Sequence, residues 1–356
     1  MIIYRFAGQS AVSPRTITKV GGVVDESSLK PRLIAYLAEQ TGHAWTLGSF
    51  TRFAVGFSWI TYGFTATLAG ESQARGLILR LGPADGLFAP YSSLPEYSAL
   101  KALEGQGVPA PRAFWWSDDA SILGAPFCIT EKVEGSAPVP WGGADAFAAS
   151  WRTDIGQQFV SALAGIHRID WRGREGFDQV QVTEANAAHL QLDYWENARQ
   201  RWALRAYPML HHAMLWLRRN APVAPRVSLV HGDYRLGNFL EQEGHITAIL
   251  DWELVHLGDP HEDLGWAFLP QFAMGSGRVC GLVTQEDFIA RYEAEVGFSV
   301  DPASLHFYRV LALVKLALTH MAGVRCFEDG RFDDMRMPAM GTQVMPVLRQ
   351  IEKILP

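Results

Sequence analysis

The first third of the chain is dominated by short apolar runs that alternate with polar residues and end at glycine-bearing turns. Runs of this length and pattern predict β-strands. The predicted strands are Thr51–Val55, Tyr62–Leu68, Gly76–Leu81, Phe114–Ser117 and Phe127–Val133. Two segments have helical spacing instead, one over Leu29–Leu37 and one ending near Leu103.

Helical periodicity takes over in the rest of the chain. Examples are IGQQFVSALAGIHRI, LDYWENARQRWALRAY and LHFYRVLALVKLALTHM. The Gly- and Pro-rich segment Gly135–Gly143 separates the two patterns and indicates a linker. We therefore predict an α+β fold of two parts, a β-rich part over residues 1–134 and a mostly helical part over residues 135–356.

A β hairpin interrupts the helical half. Ser228–Val230 is a short apolar strand, His231–Asn238 reads HGDYRLGN, and two apolar runs then flank the turn signal Glu243-Gly244. Because a hairpin brings its two ends together, Asn238 and Asp251 are expected to lie side by side.

This loop and hairpin supply the residue types that phosphoryl transfer from ATP requires. Asp233 would orient the acceptor hydroxyl, while Asn238 and Asp251 would hold Mg²⁺ against the phosphates. Oxygen donors are the ligands that such a hard cation prefers. The order H-x-D-x-x-x-x-N with a later Asp is also that of the protein-kinase signature, which makes a chance arrangement of loop residues the weaker explanation.

HGDYRLGNFL followed by ITAILDWELVHLGDPHEDLGW resembles the aminoglycoside phosphotransferase and choline kinase superfamily. Within it, the Arg of HGDYR and the run DWELVHLGDPHEDLGW are most similar to the kinase-like domain fused to some acyl-CoA dehydrogenases. The resemblance covers nearly the whole chain, from the Leu29–Leu37 helix to Gly330. It implies a protein kinase-like two-lobe fold, with a β-rich N-lobe, a mostly helical C-lobe and ATP in the cleft between them.

The resemblance also implies a phosphate-binding side in the N-lobe. RFAVGFSWITYGFT reads as strand, glycine turn and strand, where Gly56 would let backbone N–H groups approach phosphate and Ser58 would add a hydroxyl. Trp59 departs from the Asn that is usual in the family. Arg80 stands where kinases carry a phosphate-binding Lys, and Glu96 on the next helix would form an ion pair with it.

FCITEKVEG is similar to the hinge between the lobes of this family. There the Glu131 carbonyl and the Val133 N–H would hold the adenine through backbone hydrogen bonds. A core strand that simply leads into a linker would have the same sequence character.

His231 and Arg235 belong with Asp233 to the predicted catalytic loop. His231 is expected to brace the loop by hydrogen bonds rather than to act as a base. Arg235 is expected to contact a phosphate, an anionic substrate group or a neighbouring carboxylate. Asp263 would brace the loop, and Glu253 could turn toward the substrate.

The composition of the 356-residue chain, 48% hydrophobic and 19% charged, fits a globular protein with a substantial core. A net charge of −6 argues against a nucleic-acid surface. No apolar run approaches the roughly 20 residues that span a bilayer, and the N-terminus lacks the pattern of a signal peptide. Three scattered cysteines suit a reducing compartment. We therefore expect a cytoplasmic protein with neither a nucleic-acid nor a membrane partner.

Together these observations predict an ATP- and Mg²⁺-dependent phosphotransferase that acts on a hydroxyl group of a small molecule. The dehydrogenase-fused relatives imply a hydroxyacyl or hydroxyacyl-CoA acceptor, whereas the wider family implies an aminoglycoside or another amino alcohol. A protein kinase is disfavoured, because Trp-Glu rather than Phe-Gly follows Asp251 and no A-P-E segment comes after it. A nucleotide-binding regulatory protein without turnover is the alternative of a different class, and the sequence predicts no oligomeric state.

Overall fold

The computed structural model describes residues 26–53, 58–84, 86–139, 143, 146–177, 181–331 and 334–356. Within these residues, a five-stranded antiparallel sheet forms the N-terminal part of the molecule. Helices and two small pairs of strands form the rest. This arrangement confirms the predicted α+β, kinase-like fold.

The N-terminal sheet has the strand order β1-β2-β3-β5-β4, with antiparallel pairing throughout. Its strands are β1 (Trp45–Phe53), β2 (Ile60–Leu68), β3 (Arg75–Leu81), β4 (Ala113–Ser117) and β5 (Phe127–Glu131). The helices of this part are α1 (Glu26–Thr41), α2 (Leu94–Leu103) and α3 (Ala120–Leu123). Apolar residues of α1, such as Leu33 and Leu37, share one core with the sheet residues Tyr62 and Phe64.

Two strand boundaries differ from the predicted ones. β1 begins at Trp45 rather than Thr51, because a register shift between Leu47 and Phe50 breaks the alternation on which the prediction depended. β5 ends at Glu131 rather than Val133, since Glu131 is the last of its residues to pair with β3.

The C-terminal part is built around helices. They are α4 (Ala149–Arg168), α5 (Ala187–Trp202), α6 (Pro208–Arg219), α7 (His261–Ala267), α8 (Gln285–Val296), α9 (Pro302–Glu328), α10 (Arg336–Ala339) and α11 (Gly341–Ile354). β6 (Ser228–Val230) pairs with β9 (His256–Gly258), and β7 (Phe239–Gln242) pairs with β8 (His245–Ile249). The β7–β8 pair is the predicted hairpin, and the predicted strand before HGDYRLGN is β6.

The longest helix, α9, runs through the middle of the C-terminal part. By length and composition it could cross a membrane, contrary to the expectation that no apolar run approaches that length. However, 72% of its most apolar 18-residue stretch is buried inside the protein, and the helix packs against α5, α6, α7 and α11. This is the environment of a core helix.

Candidate active site

The loop that follows β6 is the centre of the site. Gly232 in this loop has a φ of +84°, and a Cβ there would lie 2.5 Å from the Leu254 carbonyl oxygen, so the backbone approach requires glycine. The Asp263 carboxylate of α7 accepts hydrogen bonds from the backbone N–H groups of His231 (2.7 Å) and Gly232 (2.8 Å). The predicted bracing of the loop by Asp263 is therefore present.

Asp263 belongs to a fully buried hydrogen-bonded group. Its Oδ2 lies 3.0 Å from His167 Nε2, and His167 Nδ1 lies 2.5 Å from the Tyr292 hydroxyl. Burial by itself raises the pKa of Asp263, but hydrogen bonds from His167 and His231 bring that pKa below its ordinary value. The brace therefore depends on an ionised carboxylate.

Replacement of Asp263 by asparagine should lower the free energy of unfolding by about 3 kcal/mol at neutral pH, because the amide nitrogen would face N–H donors. A carboxyl with a depressed folded-state pKa adds stability above its unfolded pKa of about 3.9, and this stability is lost as the pH falls through the folded value. The wild type and the variant should therefore become more alike in acid. Urea unfolding at neutral pH and below about pH 4 measures the difference.

The matched control is Asp193→Asn, which removes an exposed ion pair with Arg218 and should cost less than about 1 kcal/mol. Equal losses from the two variants would contradict a special role for Asp263.

His231 is buried, and both of its ring nitrogens contact the backbone. Nε2 lies 2.9 Å from the Leu250 carbonyl oxygen, and Nδ1 accepts the Asp233 N–H at 3.1 Å. Burial lowers the pKa of the ring, which fits a neutral imidazole with its proton on Nε2. These contacts fit the bracing role and leave neither nitrogen for proton transfer.

Three donors fix the Asp233 carboxylate. Trp266 Nε1 (2.7 Å) and Arg235 Nε (3.0 Å) donate to Oδ1, and Asn238 Nδ2 (2.6 Å) donates to Oδ2. The Asp233 side chain keeps 13% of its surface accessible. A carboxylate that is held in one orientation and still accessible can accept a hydrogen bond from a substrate hydroxyl.

Of the three partners expected for Arg235, the neighbouring carboxylate is observed. Besides Asp233, its guanidinium binds the Leu236 carbonyl oxygen (3.1 Å) and lies 5.6 Å from the centre of the Phe272 ring. Burial by itself lowers the pKa of Arg235, but the Asp233 and Asp251 carboxylates outweigh burial and raise that pKa above its ordinary value. Arg235 thus holds the Asp233 carboxylate in place.

Asn238 and Asp251 stand at the two ends of the β7–β8 hairpin, and the Leu250 N–H binds the Asn238 carbonyl oxygen at 2.8 Å. The amide nitrogen of Asn238 binds both the backbone and the side-chain oxygens of Asp233, which leaves the amide oxygen for a cation. Asp251 uses Oδ1 for Arg80 (3.0 Å) and has a φ of 66°, a strained value typical of functional sites. One carboxylate and one carboxamide fit Mg²⁺, which takes its other ligands from phosphates and water.

The predicted ion pair between Arg80 and Glu96 is present, with Nη1 2.8 Å from Oε1. Arg80 also reaches Asp251, and its guanidinium lies 5.4 Å from the centre of a Trp59 ring. Burial by itself lowers the pKa of Arg80, but the Glu96 and Asp251 carboxylates raise it above its ordinary value. Arg80 is thus a permanent cation beside the hairpin, and its contact with phosphate stays a prediction.

The predicted glycine turn of the N-terminal part includes Gly56, which lies outside the described residues. Ser58 is buried, and its hydroxyl donates a hydrogen bond to Glu253 from the other part of the molecule. Burial and the neighbouring Asp251 raise the pKa of Glu253 well above its ordinary value. The predicted contact of Ser58 with a phosphate would require its hydroxyl to leave Glu253.

The predicted hinge connects the two parts. Glu131 ends β5, and Val133 is half-buried in the segment that leaves the sheet. Ser136 then forms a β-bridge with Glu241 of the hairpin. The connection is thus anchored on both sides, while the roles of the Glu131 carbonyl and the Val133 N–H toward adenine stay predictions.

A cavity of about 540 Å³, here called the aromatic cavity, opens beside the residues that follow Asp251. Six Phe, Trp or Tyr side chains line it: Trp59, Phe88, Tyr91, Tyr194, Trp195 and Trp202. Its acidic and basic lining residues are Asp118, Arg201, Glu253, His256, Glu262 and Lys315. Its volume is in the range of pockets that hold small molecules.

Three residues of the site were not predicted: Trp266, Arg201 and Lys315. Trp266 ends the run GDPHEDLGW, but no sequence rule connects its indole to Asp233. Lys315 is the only Asp, Glu, Lys or Arg in the apolar run VLALVKLAL, and that isolation is the signal that could have identified it. Arg201 carries no such signal, because its relation to the cavity depends on how α5 packs.

The sequence model of the phosphotransferase enzyme family matches residues 61–308. The chain is 27% identical over 271 residues to mouse acyl-CoA dehydrogenase family member 10, covering 68% of this chain and 24% of that protein. It is 29% identical over 265 residues to rat acyl-CoA dehydrogenase family member 11, covering 69% of this chain and 33% of that protein. The chain thus spans about a quarter to a third of the length of these curated relatives.

Solved structures share the fold. A Ralstonia eutropha JMP134 protein assigned to the aminoglycoside phosphotransferases has a TM-score of 0.69 and 22% identity, covering 91% of this chain and 97% of its own. A thermostable mutant of aminoglycoside phosphotransferase APH(4)-Ia, in complex with ADP and hygromycin B, has a TM-score of 0.54 and 16% identity, covering 89% of this chain and 98% of its own. At these identities the likeness shows the fold alone.

Proposed function

Because the chain belongs to the phosphotransferase enzyme family, we propose that it transfers the γ-phosphoryl group of ATP to a hydroxyl group of a hydroxylated acyl compound, free or as its CoA thioester. The observation that carries the reaction is the meeting of Asp233, Asn238 and Asp251 at one loop, with Arg80 beside them. The ADP bound to APH(4)-Ia supports a nucleotide as the donor. The names of the curated relatives support an acyl-linked acceptor.

Each residue has a proposed role that its contacts support. Asp233 would accept a hydrogen bond from the acceptor hydroxyl and take its proton late in the reaction, after orienting the oxygen toward phosphorus. Arg80 would bind phosphate oxygens. Asn238 and Asp251 would hold Mg²⁺, which neutralises charge on the phosphates. Most of the rate enhancement would come from positioning and electrostatics.

The charges of the aromatic cavity favour an acceptor that is not cationic. Among the described residues, each of its carboxylates already has partners. Asp118 accepts hydrogen bonds from Ser92 and Ser93, Glu253 accepts one from Ser58, and Glu262 lies against His256 and Lys315. An ammonium group would therefore compete with these partners for the same carboxylates.

The aromatic rings are the specific observation that favours a second candidate, an amino-alcohol kinase. Trp and Tyr faces attract ammonium groups, and Glu253 could complete such a site if it were released from Ser58.

ATP consumption and product mass should therefore be measured with hydroxyacyl-CoA thioesters, the free hydroxy acids, aminoglycosides and simple amino alcohols. Turnover of amino alcohols alone would overturn the acyl assignment, and tight ATP binding without any turnover would favour a regulatory protein.

Arg201 offers a direct test of the acceptor class, because it lines the cavity and contacts no carboxylate among the described residues. With a hydroxyacyl-CoA, Arg201→Gln should raise KM about tenfold and leave kcat nearly unchanged, since one interaction of an anion with a cation is lost. The same comparison with a hydroxyacyl-pantetheine, which lacks the nucleotide phosphates, shows whether the anion is a CoA phosphate.

Arg205→Gln is the matched control for Arg201→Gln. Arg205 is exposed, lies 5.2 Å from the centre of the Tyr207 ring and is not among the residues that line the cavity. Equal effects of the two substitutions would contradict the assignment of Arg201 to the acceptor.

A further inference from the structure

Lys315 is a buried cation in the middle of the apolar helix α9. Only 2% of its surface is exposed. A charge in the interior is costly unless its partners compensate for the lost water. The partners of Lys315 therefore indicate what the charge is used for.

These partners lie in the catalytic loop and in α7. The ammonium group donates a hydrogen bond to the carbonyl oxygen of Gly232, the residue before Asp233. It lies 3.5 Å from Glu262 Oε1 and 4.7 Å from the centre of a Trp266 ring. Trp266 in turn donates its indole N–H to Asp233 Oδ1 at 2.7 Å. Lys315 thus contacts Gly232, which precedes Asp233 in the chain. It also contacts Trp266, one of the three side chains that donate to the Asp233 carboxylate.

The same side chain forms part of the wall of the aromatic cavity. Glu262 and His256 line that wall as well, and His256 Nε2 lies 3.1 Å from Glu262 Oε2. Glu262 Oε1 is buried, and in the part of the chain that the structure describes it accepts no hydrogen bond. The Lys315 charge therefore lies between the cavity and the loop. Its distance of 3.5 Å from Glu262 Oε1 is longer than that of a good hydrogen bond.

We propose that Lys315 is a positioning residue, which holds the Gly232 carbonyl and the Trp266 indole so that Asp233 meets the hydroxyl of an acceptor bound in the aromatic cavity. This proposal rests on the proposed phosphotransferase function. It adds a residue from α9 that lies outside the HGDYRLGN loop and the hairpin. The competing explanation is that Lys315 only neutralises Glu262 and stabilises the fold.

Three variants separate the two explanations. Lys315→Met removes the charge at similar length and leaves Glu262 buried with one cationic partner fewer. Glu262→Gln keeps the bond from Lys315 to Gly232. The double variant Lys315→Met/Glu262→Gln removes both charges together, so thermal stability should recover relative to Lys315→Met. The Gly232 carbonyl, however, still lacks its donor.

If Lys315 positions Asp233, kcat should fall about 100-fold in Lys315→Met and stay low in the double variant, because small displacements of a catalytic group are costly. KM for ATP and the affinity for a fluorescent ATP analogue should stay within about threefold of the wild type, since the nucleotide side is untouched. Glu262→Gln should lose only a few-fold in kcat. Phosphorylation of a hydroxyacyl-CoA and the slower hydrolysis of ATP by water are both measured, with Asp233→Ala as the baseline.

Recovery of wild-type kcat in the double variant, or an active Lys315→Met, would overturn the positioning role and leave the proposed function intact. Transfer to no acyl compound, with ATP hydrolysis still dependent on Asp233 and on Lys315, would instead overturn the acceptor class and support the positioning role. The absence of any Asp233-dependent turnover in the wild type would overturn both.

Discussion

Replacement of Asp233 by alanine is expected to lower kcat for phosphoryl transfer by about 10³-fold, with KM for ATP nearly unchanged. The carboxylate is fixed by Trp266, Arg235 and Asn238, and in the proposed mechanism it alone contacts the acceptor hydroxyl. Its loss removes both the orientation of the acceptor and the destination of its proton. Steady-state rates of ADP formation with the acceptor identified in the panel measure the effect.

Folding and nucleotide binding are the controls for Asp233→Ala. Its affinity for a fluorescent ATP analogue should match that of the wild type, and its unfolding should stay cooperative, with a loss of stability because Arg235, Asn238 and Trp266 lose their acceptor. An Asp233→Ala protein that is folded, binds ATP and retains full turnover would show that another group orients the hydroxyl, and the assignment of the loop would be wrong.

The parts of the site that could be predicted from the sequence are those fixed by local geometry. The hairpin is short, its turn is marked by Glu243-Gly244, and so the approach of Asn238 to Asp251 follows from strand pairing alone. The bracing role of His231 also follows locally, because its partners are Asp233 and Leu250.

The contacts that could not be predicted join residues far apart in the chain. Lys315 and Gly232 are separated by 83 positions, and Ser58 and Glu253 by 195. Whether such groups meet depends on how α9 packs and on how the N-terminal and C-terminal parts are placed against each other. The apolar periodicity of the sequence does not specify this packing. The side-chain hydroxyl of Ser58 illustrates the consequence, since the sequence suggested a phosphate contact and the fold places a carboxylate there.

The two parts of the molecule meet where the hairpin ends. Asp251 binds Arg80 of β3, and Glu253 binds the Ser58 hydroxyl just before β2. Arg80 also binds Glu96 of α2, so one guanidinium links the sheet, α2 and the proposed metal ligand. Contacts from both parts of the molecule therefore set the orientation of the Asp251 side chain. Loss of the Asp251 charge would weaken its contact with Arg80.

Replacement of Asp251 by asparagine should accordingly lower kcat by about 10³-fold or more, because loss of the carboxylate charge beside the cation removes several kcal/mol of transition-state stabilisation. The Mg²⁺ concentration for half-maximal activity should rise as well, since the protein would then offer the cation only neutral amide oxygens. Asparagine adopts positive φ at least as readily as aspartate, so the φ of 66° is kept and the fold should be retained. Rates measured over a Mg²⁺ titration, with ATP in fixed excess, give both quantities.

Asp251→Ala separates the chemical from the structural effect of this residue. Alanine adopts a positive φ less readily, so this variant should unfold at lower temperature than Asp251→Asn by an amount equivalent to about 1 kcal/mol. Both variants should nevertheless be equally inactive, because neither supplies a carboxylate to the cation or to Arg80. If activity followed stability instead, with Asp251→Asn close to the wild type, then Asp251 would be a structural residue of the hairpin and the metal would be held elsewhere.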